Sequence, residues 1–261
     1  MIGIFDSGVG GMTVARAIEH ICPGYPMIYF GDIARTPYGS KSPATIIEYA
    51  CRNTDFLLEQ GATVIIIACN TAASTASEAL RNRYSVPMFD VITPAIRKAV
   101  AVTQNNSIGI IGTRATIRSG VYEHRIQANK PACKVISQAC PLLVPLVEEG
   151  WLNKRETKMI LRRYLHPLRR RQIDTLVLGC THYPLLSPLI QSRIGKRVQM
   201  IDSSVEVALL FKKFLETHPH IADLLHQDAP SHFFVSDSTK PVRQLADRIF
   251  GRTITLENVD V

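Results

Sequence analysis

Two cysteines in this chain sit where a thiol can act as a base. Cys69 ends the apolar run 64–68 and is followed by Asn70 and Thr71. Cys180 ends the run 175–179 and is followed by Thr181 and His182. Each reads as a buried strand that delivers a sulfur at its C-terminal end, where a helix begins. In open α/β sheets ligands bind beyond the carboxyl ends of the strands, so both thiols occupy ligand positions. A helix N-terminus next to each sulfur is expected to favour its thiolate. Two such groups on opposite sides of one carbon suit a single task, moving a proton from one face to the other. One thiolate takes the proton, the opposite thiol returns one, and the reverse reaction swaps the roles. The plain alternative is a pair of buried strand-end cysteines, common in cores; their matched positions and polar successors favour chemistry.

The elements that must carry these thiols read as strand and helix in alternation. A strand at 2–5 leads into Asp6-Ser7-Gly8-Val9-Gly10-Gly11 and a helix over 12–21. A strand at 27–30, a helix from Pro43 to about 60, the Cys69 strand, a helix at 75–84, a strand at 86–90 and a helix to about 103 follow. The order then recurs. Ile2 and Ile108, Ile28 and Ile136, Cys69 and Cys180, and Asp90 and Asp202 are separated by 106, 108, 111 and 112 residues. Near-constant offsets predict an internal duplication: two similar doubly wound α/β domains with the active site in the cleft between them. The expected division is residues 1–98 with 206–261, and residues 99–205. The tail offers a helix at 206–216, a strand at 232–236 and a helix at 240–250, expected to pack back on the first half.

Composition limits the other classes. With 46% hydrophobic and 20% charged residues the 261-residue chain is of globular type. Its apolar runs are too short to span a bilayer, so no membrane partner is expected. No signal sequence is read at the N-terminus, and six cysteines at this density suit a reducing cytoplasm. A net charge of +8 permits nucleic-acid binding. The run Arg162, Arg163 and Arg169 to Arg171 nevertheless reads as a solvated helix face, with only Tyr164 as a nearby aromatic. The Asp6 to Gly11 turn fits neither G-x-G-x-x-G nor the P-loop. Cys22, Cys51, Cys133 and Cys140 lack metal-ligand spacing, and His218, His220, His226 and His232 lack paired cysteines, so no metal site is expected. From spacing alone Glu148 is a surface glutamate. Asp6, at a strand end, is a candidate partner for one thiol, and His182 can share the proton of Cys180.

Taken together, Phe5-Asp6-Ser7-Gly8-Val9-Gly10-Gly11, Tyr29-Phe30-Gly31-Asp32, Pro37-Tyr38-Gly39, Ala68-Cys69-Asn70-Thr71-Ala72, Ala115-Thr116-Ile117-Arg118-Ser119-Gly120 and Gly179-Cys180-Thr181-His182-Tyr183-Pro184 resemble the glutamate racemase family over nearly the whole chain. Related aspartate racemases share the two-cysteine logic, but the Asp-Ser-Gly-Val-Gly-Gly opening and Cys-Thr-His-Tyr-Pro suit glutamate racemase better. The resemblance implies a cofactor-independent isomerase that interconverts L- and D-glutamate and supplies D-glutamate for peptidoglycan. It implies Cys69 and Cys180 as paired acid and base, Asp6 assisting Cys69, and His182 with Glu148 behind it assisting Cys180. It implies substrate contacts from Asp6, Ser7, Tyr38, Gly39, Asn70, Thr71, Thr113, Thr116, Thr181 and His182. By similarity Cys69 takes the proton of D-glutamate and Cys180 that of L-glutamate. A homodimer is among the assemblies it allows. Arg114 departs from the small or apolar residue more usual there; its guanidinium either adds a carboxylate contact or points to solvent. No N-terminal extension precedes the first strand, so the resemblance does not carry over the activation by a cell-wall precursor known in some members. Another amino-acid racemase is the alternative within the class, and a nucleic-acid-binding protein the alternative outside it.

Overall fold

Strands buried on both faces lack polar alternation, and the apolar runs here behave that way: every residue of the strands Ile2–Asp6 and Thr175–Gly179 is buried. The computed structural model describes residues 1–225 and 229–261. His226 of the histidine cluster lies outside the described residues.

The first half runs β1 (Ile2–Asp6), α1 (Met12–Ile21), β2 (Met27–Gly31), α2 (Pro43–Glu59), β3 (Val64–Ile67), α3 (Asn70–Arg83), β4 (Met88–Asp90) and α4 (Ile92–Val102). The second runs β5 (Ser107–Gly112), α5 (Arg114–Arg118), α6 (Val121–Asn129), β6 (Lys134–Ala139), α7 (Leu143–Glu148), α8 (Arg155–Arg170), β7 (Thr175–Gly179), α9 (Ser187–Ile194) and β8 (Gln199–Asp202). The chain then adds α10 (Ser203–Thr217), α11 (Pro219–Leu225), β9 (His232–Val235), α12 (Lys240–Phe250) and a short β10 (Glu257–Asn258).

Two parallel sheets result. The first has the order β10-β9-β2-β1-β3-β4 and the second β6-β5-β7-β8. The core order β2-β1-β3-β4 of the first is repeated by β6-β5-β7-β8, in equivalent roles, which is the duplication expected from the offsets. The tail strand β9 pairs with β2, placing Val235 beside Gly31, while α10 and α12 pack on α1. Crossover helices cover both faces, as parallel strands require.

Some expectations need correction. A helix does not start directly after Cys180; a 3-10 turn at Tyr183–Leu186 intervenes, because Pro184 and Pro188 restrict the backbone before α9 is established. The helix after Cys69 begins at Asn70, five residues before the position read from spacing, because the small polar residues there turn inward and are buried. Strand β4 is shorter than residues 86–90, since Pro87 lacks the N–H a ladder needs. Among the described residues no group of three or more His, Cys, Asp or Glu side chains is placed to hold a metal, and no helix is long and apolar enough to cross a membrane.

Candidate active site

Cys69 is the N-cap of α3. Its Sγ accepts the Ala72 N–H at 3.4 Å, and its S–H donates to Ser7 Oγ at 3.4 Å. A helix start alone would favour the thiolate. Here burial pushes the Cys69 thiol up to about 12, and the nearby Asp6 carboxylate adds to the rise, outweighing the donors from Ser7 and Ala72. The thiolate preference expected for Cys69 is thereby reversed; the sulfur holds its proton in this state.

Cys180 ends β7 with different neighbours. Its Sγ lies 3.9 Å from His182 Nδ1, and His182 Nε2 lies 3.1 Å from Glu148 Oε1. Burial works against a charged ring, but the hydrogen bonds and charges of Cys180 and Glu148 outweigh it and raise His182 to about 10. Glu148 is the last residue of α7 and half-buried, its carboxylate turned in toward the imidazole rather than out to solvent. The imidazole thus stands between the Cys180 sulfur and the Glu148 carboxylate, and both favour its charged form.

Asp6 is fully buried at the end of β1. Its Oδ2 accepts the Gly8 and Gly11 N–H groups at 3.0 and 2.9 Å, and its Oδ1 accepts Thr181 Oγ1 at 3.4 Å. Burial raises its pKa, opposed by the His182 charge and by the backbone donors of Gly11, Gly8 and Ser7. Two glycines of this turn, Gly10 and Gly11, are there for space. A Cβ on Gly10 would overlap the His182 ring and lie 2.7 Å from Thr181 Oγ1.

Both sulfurs line one cavity of about 30 Å³. Of the sequence-selected residues, Ser7, Tyr38, Gly39, Cys69, Asn70, Thr71, Thr113, Cys180, Thr181 and His182 line it. Asp6, Glu148 and Thr116 stand one layer behind. The halves meet directly here: Thr71 Oγ1 lies 2.9 Å from Thr113 Oγ1 and 3.3 Å from Thr116 Oγ1, and Thr13 Oγ1 donates to Thr181 O at 3.1 Å. Asn70 is held between Tyr122, which donates to its Oδ1 at 2.7 Å, and Ser203 Oγ at 3.4 Å. Arg114 is exposed at the start of α5.

Three supports lie outside the residues selected for the site from sequence. Tyr38 O–H donates to Asp32, a fully buried carboxylate that also takes Arg35 Nε at 2.9 Å and Ser236 Oγ at 3.2 Å. Asn53 Nδ2 donates to the same tyrosine oxygen at 3.1 Å. Val144 supplies an apolar wall to the cavity. The motif Tyr29-Phe30-Gly31-Asp32 and its place at a strand end pointed to Asp32, but not to its pairing with Tyr38.

A cleft between two α/β halves, with one thiol from each lining it and unlike neighbours behind them, is the arrangement an isomerase that moves a proton between two faces of a carbon would need. The comparisons agree. The Asp/Glu/Hydantoin racemase profile matches residues 10–209. A glutamate racemase of Geobacter metallireducens is 43% identical over 96% of this chain and 92% of its own. Among solved structures, glutamate racemase isoform RacE1 of Bacillus anthracis superposes with a TM-score of 0.93 at 35% identity, covering 100% of this chain and 97% of that one. Glutamate racemase of Francisella tularensis in complex with D-glutamate gives 0.90 at 34% identity, covering 99% and 97%. The chain belongs to the Asp/Glu/Hydantoin racemase family.

Proposed function

We propose that this protein is a cofactor-independent isomerase that interconverts L- and D-glutamate by proton transfer between two cysteines. The observation that carries the reading is that Cys69 and Cys180, one from each half, line the same cavity. One sulfur removes the α-proton and the other protonates the opposite face of the resulting carbanion. Asp6 is the group through which the proton of Cys69 is managed, and His182 with Glu148 serves Cys180. The hydroxyls of Thr71, Thr113 and Thr181, the Asn70 amide and the N–H groups at the start of α3 are donors for the substrate carboxylates. Ser7, Tyr38 and Gly39 close the wall around its amino end.

A cavity of about 30 Å³ holds a water molecule or two. It is far too small for a five-carbon dicarboxylic amino acid. On this reading the structure represents a closed state, and the halves part to admit glutamate. Closure around the substrate then excludes water from the carbanion. The product serves peptidoglycan synthesis, and six unpaired cysteines suit a reducing cytoplasm. Assembly as a homodimer belongs to the same reading, and analytical ultracentrifugation decides it.

The test follows optical rotation of L-glutamate and of a panel of other L-amino acids, with deuterium incorporation at Cα in D2O. Cys69→Ser and Cys180→Ser are each expected to lower turnover by about 10²–10⁴-fold. Near-normal turnover of either variant refutes the pairing, and faster turnover of aspartate moves the specificity to that substrate.

A further inference from the structure

The charge of this chain is not spread over it. Residues 155–197 hold ten of the thirty Lys and Arg and only two of the 22 acidic residues, so this segment carries the whole surplus of +8 and leaves twenty of each sign elsewhere. Most of those cations lie on α8. Its buried stripe is Thr157, Leu161, Leu165 and Leu168. The stripe beside it, at helical spacing and bordering the groove to α9, presents Arg155, Arg162, His166 and Arg169, all exposed. Across a groove of about 410 Å³ stands Arg193 of α9, its Nε donating to Lys158 O at 3.2 Å.

Fold stability does not account for this face. Cations in the last turn suit the helix dipole, but Arg155 is placed in the first turn, where the dipole opposes it. Like charges four residues apart repel. Among the described residues no carboxylate pairs with Arg162, His166 or Arg169.

An apolar group adjoins the basic face. Met159, 61% exposed, is one helical turn from both Arg155 and Arg162, at the edge of their stripe. Trp151, 42% exposed, lies just before the N-terminus of α8. A nucleic-acid backbone makes no use of an exposed thioether among arginines, whereas a bilayer surface binds cations at its phosphates and apolar side chains just beneath.

We propose that α8 and the α8–α9 groove form a docking surface for an anionic phospholipid membrane. The guanidiniums of Arg162, Arg169 and Arg193 engage headgroup phosphates, and Met159 enters the acyl boundary. The protein associates peripherally; the absence of an apolar run long enough to span concerns insertion, not adsorption. The active-site cavity is lined by other elements, so adsorption leaves it intact.

The experiment is co-sedimentation of the full chain with vesicles of phosphatidylglycerol and phosphatidylcholine, or of phosphatidylcholine alone, at low and high salt. Binding to the anionic vesicles only, released by salt, is expected. R162Q/R169Q is expected to weaken it roughly 30-fold, at about fivefold per cation near the surface. M159Q is expected to weaken it roughly tenfold while leaving its salt dependence unchanged. Both variants are expected to racemise at the wild-type rate, which shows that they fold. Equal sedimentation with neutral vesicles, no effect of R162Q/R169Q, or no effect of M159Q overturns the proposal. Duplex DNA bound more tightly than the anionic vesicles at the same salt overturns it in favour of a nucleic-acid surface.

Discussion

Replacing Gly10 by Ala probes the site without replacing a titratable group. The added Cβ would overlap the His182 imidazole and stand 2.7 Å from Thr181 Oγ1, where ordinary contact begins at 3.4 Å. Thr181 Oγ1 must retreat by at least 3.4 − 2.7 = 0.7 Å, and His182 Cε1, 2.5 Å from the added Cβ, by at least 3.4 − 2.5 = 0.9 Å. The His182 Nδ1 to Cys180 Sγ distance is already 3.9 Å, so a retreat of this size disengages the relay. Misplacement by about 1 Å typically costs on the order of 10²-fold in rate. Overpacking costs about 1–3 kcal/mol of stability, so the protein stays folded with a melting temperature lowered by roughly 2–12 °C. Gly8→Ala is the control in the same turn, since its Cβ would meet only Thr36 Oγ1 at 3.7 Å. The assay is turnover of L- and of D-glutamate. L- and D-glutamate have equal free energy in water, so the loss in kcat/KM must be the same in both directions. Gly10→Ala within about threefold of wild type, or Gly8→Ala as impaired as Gly10→Ala, refutes the account of the turn.

Because the Asp6 charge helps to raise the Cys69 thiol, Asp6→Asn is expected to speed alkylation of Cys69 in the free enzyme, read by peptide mass spectrometry at pH 8; an unchanged rate counts against that coupling. His182 keeps its proton to about pH 10 in the folded state, against 6.5 for an ordinary histidine. Its protonation therefore adds stability that is full below pH 6.5 and is lost as pH rises through about 10. The stability gap between wild type and His182→Asn in denaturant unfolding should narrow over that range, and a widening gap contradicts the relay. Asp32→Asn leaves Arg35 without its buried partner and is expected to cost about 3 kcal/mol in thermal unfolding. Tyr38→Phe should cost less, about 1 kcal/mol; the reverse order would show that the carboxylate is not the centre of that network.

The thiol positions are legible in the sequence because a parallel strand buried on both faces is an unbroken apolar run, and its end is where the run stops. The duplication is legible for the same reason: strand ends keep their spacing while helices and loops vary. Glu148 is not legible from spacing. Its neighbours 143–147 read as an apolar run ending in an ordinary acid, and only the packing of α7 brings the carboxylate to His182. The protonation preference of Cys69 was also out of reach. A helix start is visible in sequence, whereas complete burial beside Asp6 is a property of the packed cleft. The same holds for Gly10, whose reason lies in a side chain 172 residues away. Strand β10 is two exposed residues, too short to leave a periodic signal.

The unlike surroundings of the two sulfurs give this enzyme a memory. Each passage of a substrate leaves the proton on the other sulfur, so the protein released at the end differs from the one that began. Were the thiols in identical settings, both forms would be equally populated at rest. With a carboxylate beside one and an imidazole relay beside the other, one form is favoured, about tenfold for every 1.36 kcal/mol of inequality. Resetting requires a proton to travel back across the empty cleft by way of the one or two waters it can hold. Where that return journey is slower than the carbon chemistry, it sets the pace at high substrate concentration. A labelled trace of one enantiomer, added while the other is being consumed in excess, would then be driven temporarily away from its equilibrium distribution.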